Sequence, residues 1–133
     1  MNADTLLHRQ INPAWIKDGR VTTSAFNPSK NHGFLLSVYD GDMITAEAAF
    51  THYTTVLQKQ SVGALAVLKS ESDDLHLASR SAPEDFAEHV VVDFNHLVTE
   101  PEKPLSNGQR EKLAGILRNQ AVARGWQFQA PAA

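Results

Sequence analysis

The chain reads as an α+β fold in a single domain: a mainly antiparallel sheet of about five strands with two main helices packed on one face. Three observations lead there. Short segments of alternating or β-branched residues recur along the 133 residues, separated by turns rich in Gly, Pro and Asn. Two longer segments, residues 45–58 and 106–124, change to the three- and four-residue spacing of a helix. A chain of this length buries roughly two thirds of its unfolded surface, enough to sustain one core without a disulfide or structural metal. The domain is therefore expected to span residues 1–133, with 1–4 and 129–133 frayed.

Residues 6–11 set Leu7, Arg9 and Ile11 against Leu6, His8 and Gln10, an edge or half-exposed strand that stops before Asn12-Pro13. Residues 13–17 suit a single helical turn, closed by the turn dipeptide Asp18-Gly19. Residues 20–26 are β-branched at Val21, Thr22 and Thr23, and residues 34–39 place Phe34, Leu36 and Val38 on one face. These two runs are expected to pair antiparallel across the polar loop 27–33. Thr45 then caps a helix that carries Ala46, Ala49, Phe50, Tyr53, Val56 and Leu57 on its apolar face. Residues 62–68 are apolar on both faces, as a strand in the middle of the sheet requires.

After a short acidic segment that predicts a brief helix near Ser70, residues 89–96 are expected to form a valine-rich strand with His89, Val91 and Asp93 on one side. Pro101 and Pro104 are expected to exclude regular structure from residues 99–104 and to make them an exposed connector. The last helix is the best marked: Ser106 and Gln109 match a capping box, Leu113, Ile116, Leu117 and Ala121 share a face, and Gly125 closes it. Trp126 and Phe128 are expected to fold back onto the body of the domain, because leaving both exposed forfeits their burial.

Composition narrows the function classes. Twelve basic against 15 acidic residues give a net charge of −3, so a phosphate backbone meets no global attraction and nucleic acid is not the expected partner. The absence of cysteine excludes disulfides, thiolate nucleophiles and cysteine-ligated zinc. Residues 1–9 match no secretion or transit signal, and the longest apolar run, 62–68, is far short of the roughly 20 residues that cross a bilayer. A cytoplasmic protein without a membrane role is the expectation. No metal and no cofactor is expected, because none of the six histidines is paired as a zincin helix requires; His8, His89 and Asp93 are the one combination worth testing for a metal.

His89 and Asp93 cannot form a site by themselves, since four strand residues span about 13 Å. The binding residues expected are His8, Arg9, Ser24, Ser37, Tyr39, His89 and Asp93, with His8, Ser24, Tyr39 and Asp93 on a partly exposed sheet face opposite the helices. No serine stands in a Gly-x-Ser-x-Gly turn, and no glycine-rich phosphate loop occurs. Without a catalytic motif, the leading expectation is a small accessory protein of the immunity, antitoxin or regulatory kind. It would bind a protein partner or a second copy of itself through the polar sheet face or loop 27–33. The last helix adds a charge asymmetry, with Arg110, Lys112, Arg118 and Arg124 outnumbering Glu111.

The alternative is an enzyme. His8 and Arg9 on the first strand, Thr22 to Ser24 on the second, and Ser37 and Tyr39 on the third are residue types suited to holding phosphate, ribose and nicotinamide. In residue type alone this set resembles the ADP-ribosyltransferases, which implies a small nucleotide- or NAD-processing transferase, with Arg9 on phosphate and Tyr39 stacking. Arg9 and Ser24 lie closer in sequence than that family usually shows. No Glu-x-Glu follows, which leaves Glu47, Glu84 or Glu88 as stand-ins for its catalytic acid.

Overall fold

A computed structural model describes residues 1–131. The first strand, β1 (Leu6–Gln10), is followed by a 3₁₀ turn, Pro13–Trp15, where the Asn12 side chain accepts from the Ala14 N–H. Strands β2 (Ile16–Lys17) and β3 (Arg20–Val21) then form a small hairpin. Asp18 and Gly19 take φ of 52° and 76° at its tip, the left-handed pair that a two-residue hairpin turn demands. The strand expected over 20–26 ends here. Its second half is a 3₁₀ turn, Thr23–Phe26, which buries Ala25 and Phe26 against the last helix, so the expected pairing with residues 34–39 does not form.

Strand β4 (Leu35–Asp40) instead pairs with β1 on one side and with β7 (His89–Asp93) on the other. Strand β5 (Gly63–Leu68) pairs with the other side of β1, β6 (Ala78–Ser81) borders β7, and β10 (Phe128–Gln129) borders β5. The antiparallel sheet thus has six strands in the order β10-β5-β1-β4-β7-β6, one more than expected. Its middle is β1 and β4, and the apolar β5 lies one strand in from the edge. Gln129, expected to fray, pairs with Gly63, and the amide of Ser70 bonds the Ala3 carbonyl. Residues 132 and 133 of the expected frayed end lie outside the described residues. Residues 99–104 are also more regular than two prolines suggest: β8 (His96–Leu97) and β9 (Glu100–Pro104) form an exposed bulged hairpin. A two-stranded ribbon tolerates proline because each strand has a free edge.

The expectation of helices on one face is corrected by the register. Leu7, Leu36, Val38, Leu65, Val67, Val90 and Val92 share one face and pack with Ala114, Leu117 and Ala121 of the long helix α3 (Asn107–Arg124). That helix begins as expected: Ser106 Oγ accepts from the Gln109 amide at 3.2 Å, and the Gln109 side chain accepts from the Ser106 amide at 2.9 Å. The other face carries His8, Tyr39, Ala64, Ala66, His89 and Val91, and it is covered by α1 (Ala46–Thr51). Phe50 of α1 meets Phe128 at 5.0 Å between ring centres, and His52 just beyond it bonds Tyr39. One helix therefore lies on each side of the sheet. The polar face expected to be partly open is closed over His8, Tyr39 and His89, each less than a tenth exposed. The brief acidic helix, α2 (Lys69–Asp74), forms at the end of β5, its start held by Glu71 accepting from the Leu68 amide at 2.7 Å.

Candidate functional site

The site begins where the two central strands part. Strand β1 pairs with β4 only at Leu7–Asp40 and His8–Tyr39, yet stays paired with β5 as far as Gln10–Ala64. Beyond His8 a gap opens between β1 and the first half of β4, and Arg9 fills it. Its Nε donates to the Ala25 carbonyl at 2.8 Å, its Nη1 donates to the Ser37 carbonyl at 3.0 Å, and its guanidinium stacks 4.8 Å from the Trp15 ring centre. All these partners are dipoles or π-faces; among the described residues no carboxylate pairs with Arg9. Burial pulls its pKa down from 12.5 to about 10, against a smaller upward pull from Tyr53.

Above this arginine lies a cleft of two adjoining lobes, which share Arg9, His32, Ser37, Tyr53 and Lys59. The first, about 410 Å³, is walled by Tyr39, Tyr53, Leu57 and Phe86. Phe86 stands 4.9 Å from the Tyr39 ring, 4.9 Å from His52 and 4.6 Å from His89, so the four rings form one packed cluster. The second lobe, about 540 Å³, is bordered by Asn12, Trp15, Ser24, Asn27 and Ser29, and among the described residues no carboxylate lines it. In a chain of net charge −3 this lobe holds two cations, Arg9 and Lys59, and no anion.

The helix leading into the cleft has a local irregularity that places these groups. After α1 the backbone widens into a π turn, His52–Val56, with the Leu57 amide bonding the His52 carbonyl five residues back. Such widening shifts the register of side chains around the helix axis. Here it delivers His52 onto Tyr39 (Oη to Nδ1, 2.8 Å) and Tyr53 onto the cleft. Burial, with Tyr53 and Glu88 adding to it, raises the Tyr39 pKa well above the usual phenol range, so Tyr39 stays a neutral partner of His52.

Ser37 and His89 meet on the sheet face beneath the cluster. His89 Nε2 lies 3.0 Å from Ser37 Oγ. Its Nδ1 lies 3.2 Å from the Ala82 carbonyl and 3.1 Å from an Asp85 carboxylate oxygen. A carbonyl only accepts, so Nδ1 carries the proton in the neutral ring and Nε2 is left to accept from the serine hydroxyl. His89 is buried and Ser37 is exposed to the cleft.

Of the residues expected to bind, Arg9, Ser24, Ser37, Tyr39 and His89 line this cleft. His8 is next to Tyr39 in the register but sits under α1, where burial lowers its pKa and its Nδ1 has no protein partner. Asp93 is at the far end of β7. Burial alone would raise its pKa, but bonds from the Asn95 amide and side chain and from Arg80 outweigh this and hold it below the usual carboxylate value. Tyr39 stands between His8 and His89 in the register, so the two histidines and Asp93 do not converge on one point. The sequence reading missed Trp15, His32, Tyr53, Lys59, Asp85 and Phe86. The helical period places Tyr53 in a helix core, and the others carry no periodic signal because they stand on turns and loops. Comparison with protein-family models, with curated proteins and with solved structures finds no match for the chain.

Proposed function

We propose that the cleft binds a small ligand of the nucleotide class, with its phosphate against Arg9 and Lys59 and its base among Tyr39, Tyr53 and Phe86. One observation carries this reading: a half-buried guanidinium with no carboxylate partner among the described residues, at the junction of an aromatic lobe and a lobe that no described anion lines. A cation in such a place is disfavoured until an anion joins it, and a phosphate beside an arginine makes charge-assisted bonds in a site already partly cleared of water. The aromatic walls add stacking for a flat heterocycle. NAD and related dinucleotides belong to this ligand class, as the alternative drawn from the sequence implies.

The accessory-protein reading has less support. The polar sheet face it needs is covered by α1, and loop 27–33 forms a wall of the cleft. Of the helix cations thought to steer a partner, Arg110 is buried 3.7 Å from the Phe34 ring centre, and Arg124 is paired with Glu71 at 2.9 Å. Among the described residues no helix is long and apolar enough to cross a membrane.

The test is thermal unfolding with AMP, ADP, NAD, the matching nucleosides and inorganic pyrophosphate. A ligand that binds the folded chain raises the melting temperature in proportion to the logarithm of its concentration. The expected order is phosphate-bearing nucleotides above both nucleosides and pyrophosphate, because each of the latter fills one lobe. A flat response to all of them up to millimolar concentration overturns the proposal.

A further inference from the structure

The geometry points to Ser37 as a nucleophile, activated by His89 and positioned by Asp85 and the Ala82 carbonyl, for hydrolysis of an ester on a ligand held in the same cleft. Only the substrate class, an acyl ester of an anionic, ring-bearing compound, rests on the nucleotide reading; the nucleophile rests on geometry of its own. The hydroxyl is 3.0 Å from an imidazole nitrogen that can only accept, and the other nitrogen is held by a carbonyl at 3.2 Å and faced by a carboxylate at 3.1 Å. This is the arrangement in which a serine is deprotonated as it attacks, the imidazole is kept in one tautomer, and the imidazolium that forms meets a negative charge. Ser37 is at a border of both lobes, and Phe86 stacks on His89, which limits the imidazole's freedom to turn away.

The strand geometry supplies groups for the developing charge. On an antiparallel strand the N–H and C=O of one residue point to the same edge. The Ser37 carbonyl points to Arg9, so the Ser37 N–H faces the same gap. An oxyanion formed beside Ser37 Oγ is then served by that amide and by the Arg9 guanidinium.

The chemistry balances with water as the co-reactant. Ser37 Oγ attacks the acyl carbon while its proton passes to His89 Nε2. The tetrahedral adduct collapses, breaking the bond to the alkoxy oxygen, and that oxygen leaves as an alcohol with the proton from His89. Water, deprotonated in turn by His89, attacks the acyl-serine and releases the acid, restoring the Ser37 hydroxyl. Another serine and histidine approach nearby, Ser29 Oγ and His32 Nδ1 at 3.1 Å, but among the described residues no carbonyl or carboxylate bonds the second nitrogen of His32 to position it.

The test is labelling by an alkyl fluorophosphonate, which reacts with activated serines and carries neither base nor nucleotide, followed by peptide mass spectrometry. One equivalent on Ser37 is expected, with Ser24 and Ser29 unmodified. His89→Gln should slow labelling by about 100-fold or more. Asp85→Asn, a change at an exposed side chain that leaves the fold alone, should slow it by about tenfold. No label on Ser37 in the folded protein, or label spread equally over Ser24, Ser29 and Ser37, overturns the assignment. So does an unchanged rate in Asp85→Asn together with His89→Gln. Because the probe needs no nucleotide subsite, label on Ser37 with a flat nucleotide response sinks the substrate class alone. A nucleotide response without label sinks the nucleophile alone.

Discussion

Replacing Arg9 by methionine separates a structural arginine from a binding one. Methionine keeps most of the stem that packs along Trp15 and removes the charge and its bonds to the Ala25 and Ser37 carbonyls. Two effects oppose each other in the unliganded protein. A pKa lowered from 12.5 to about 10 corresponds to roughly 3 kcal/mol of disfavour toward the buried charged form, and the substitution relieves it. Against this, two hydrogen bonds from a charged group to carbonyls are lost, worth about 1.5–3 kcal/mol each. The terms largely cancel, so the unliganded variant should be less stable than the parent by no more than about 3 kcal/mol in urea unfolding at pH 7. Ligand affinity has no such cancellation. Losing a charge-assisted bond to a phosphate in a partly desolvated site costs about 2–3 kcal/mol, which weakens ADP or NAD binding about 30- to 150-fold by titration calorimetry. A loss of 4 kcal/mol or more from the unliganded protein would make Arg9 a structural strut and refute the reasoning. Unchanged affinity refutes it from the other side.

Two further outcomes test the fold. Leu117 is fully buried in the α3 side of the core, so Leu117→Ala should cost about 2–5 kcal/mol with an unchanged urea dependence; a cost below 1 kcal/mol contradicts the packing described. Asp93 titrates below the usual carboxylate value, so the stability it contributes is present above the unfolded-state pKa, near 4, and is lost as pH falls through its lower folded value. The stability gap between the parent and Asp93→Asn should therefore shrink as the pH is taken from about 6 to about 2; a gap constant across that range contradicts the Asn95 and Arg80 contacts.

The elements written in local chemistry were legible, and those written in long-range pairing were not. Ser106 and Gln109 announce the start of α3 because both halves of a capping box lie within four residues. The valines of β7 announce a strand because alternation is local, and their face assignment survives in the register. Residues 20–26 misled because β-branched Val21, Thr22 and Thr23 favour a strand, whereas tertiary burial of Ala25 and Phe26 against α3 favours a tight turn. The same limit hid the layering. An amphipathic period says that α1 buries a face but not which side of the sheet it covers, and only the contacts of Phe50 and His52 decide that.

The cleft is the extreme case of that limit, because it is made by a pairing that stops. Alternation in the sequence sets Arg9 on the same side of its strand as Leu7 and Ile11 and says nothing of what faces it there. It becomes a half-buried cation because β4 does not join β1 until Tyr39, whereas β5 stays paired with β1 alongside Arg9. Ser37 and His89, 52 residues apart, are joined by the β4–β7 register, which sets Ser37 opposite Val91 and leaves its Oγ within reach of the imidazole one step along the same face. No local motif encodes either event. Of the residues named from the sequence, Ser24 stands on a 3₁₀ turn and the other six on β1, β4 and β7, where a polar side chain inside a strand must be explained by something the strand faces. For Asp93 that is Asn95 and Arg80. For Arg9, Ser37, Tyr39 and His89 it is one cleft.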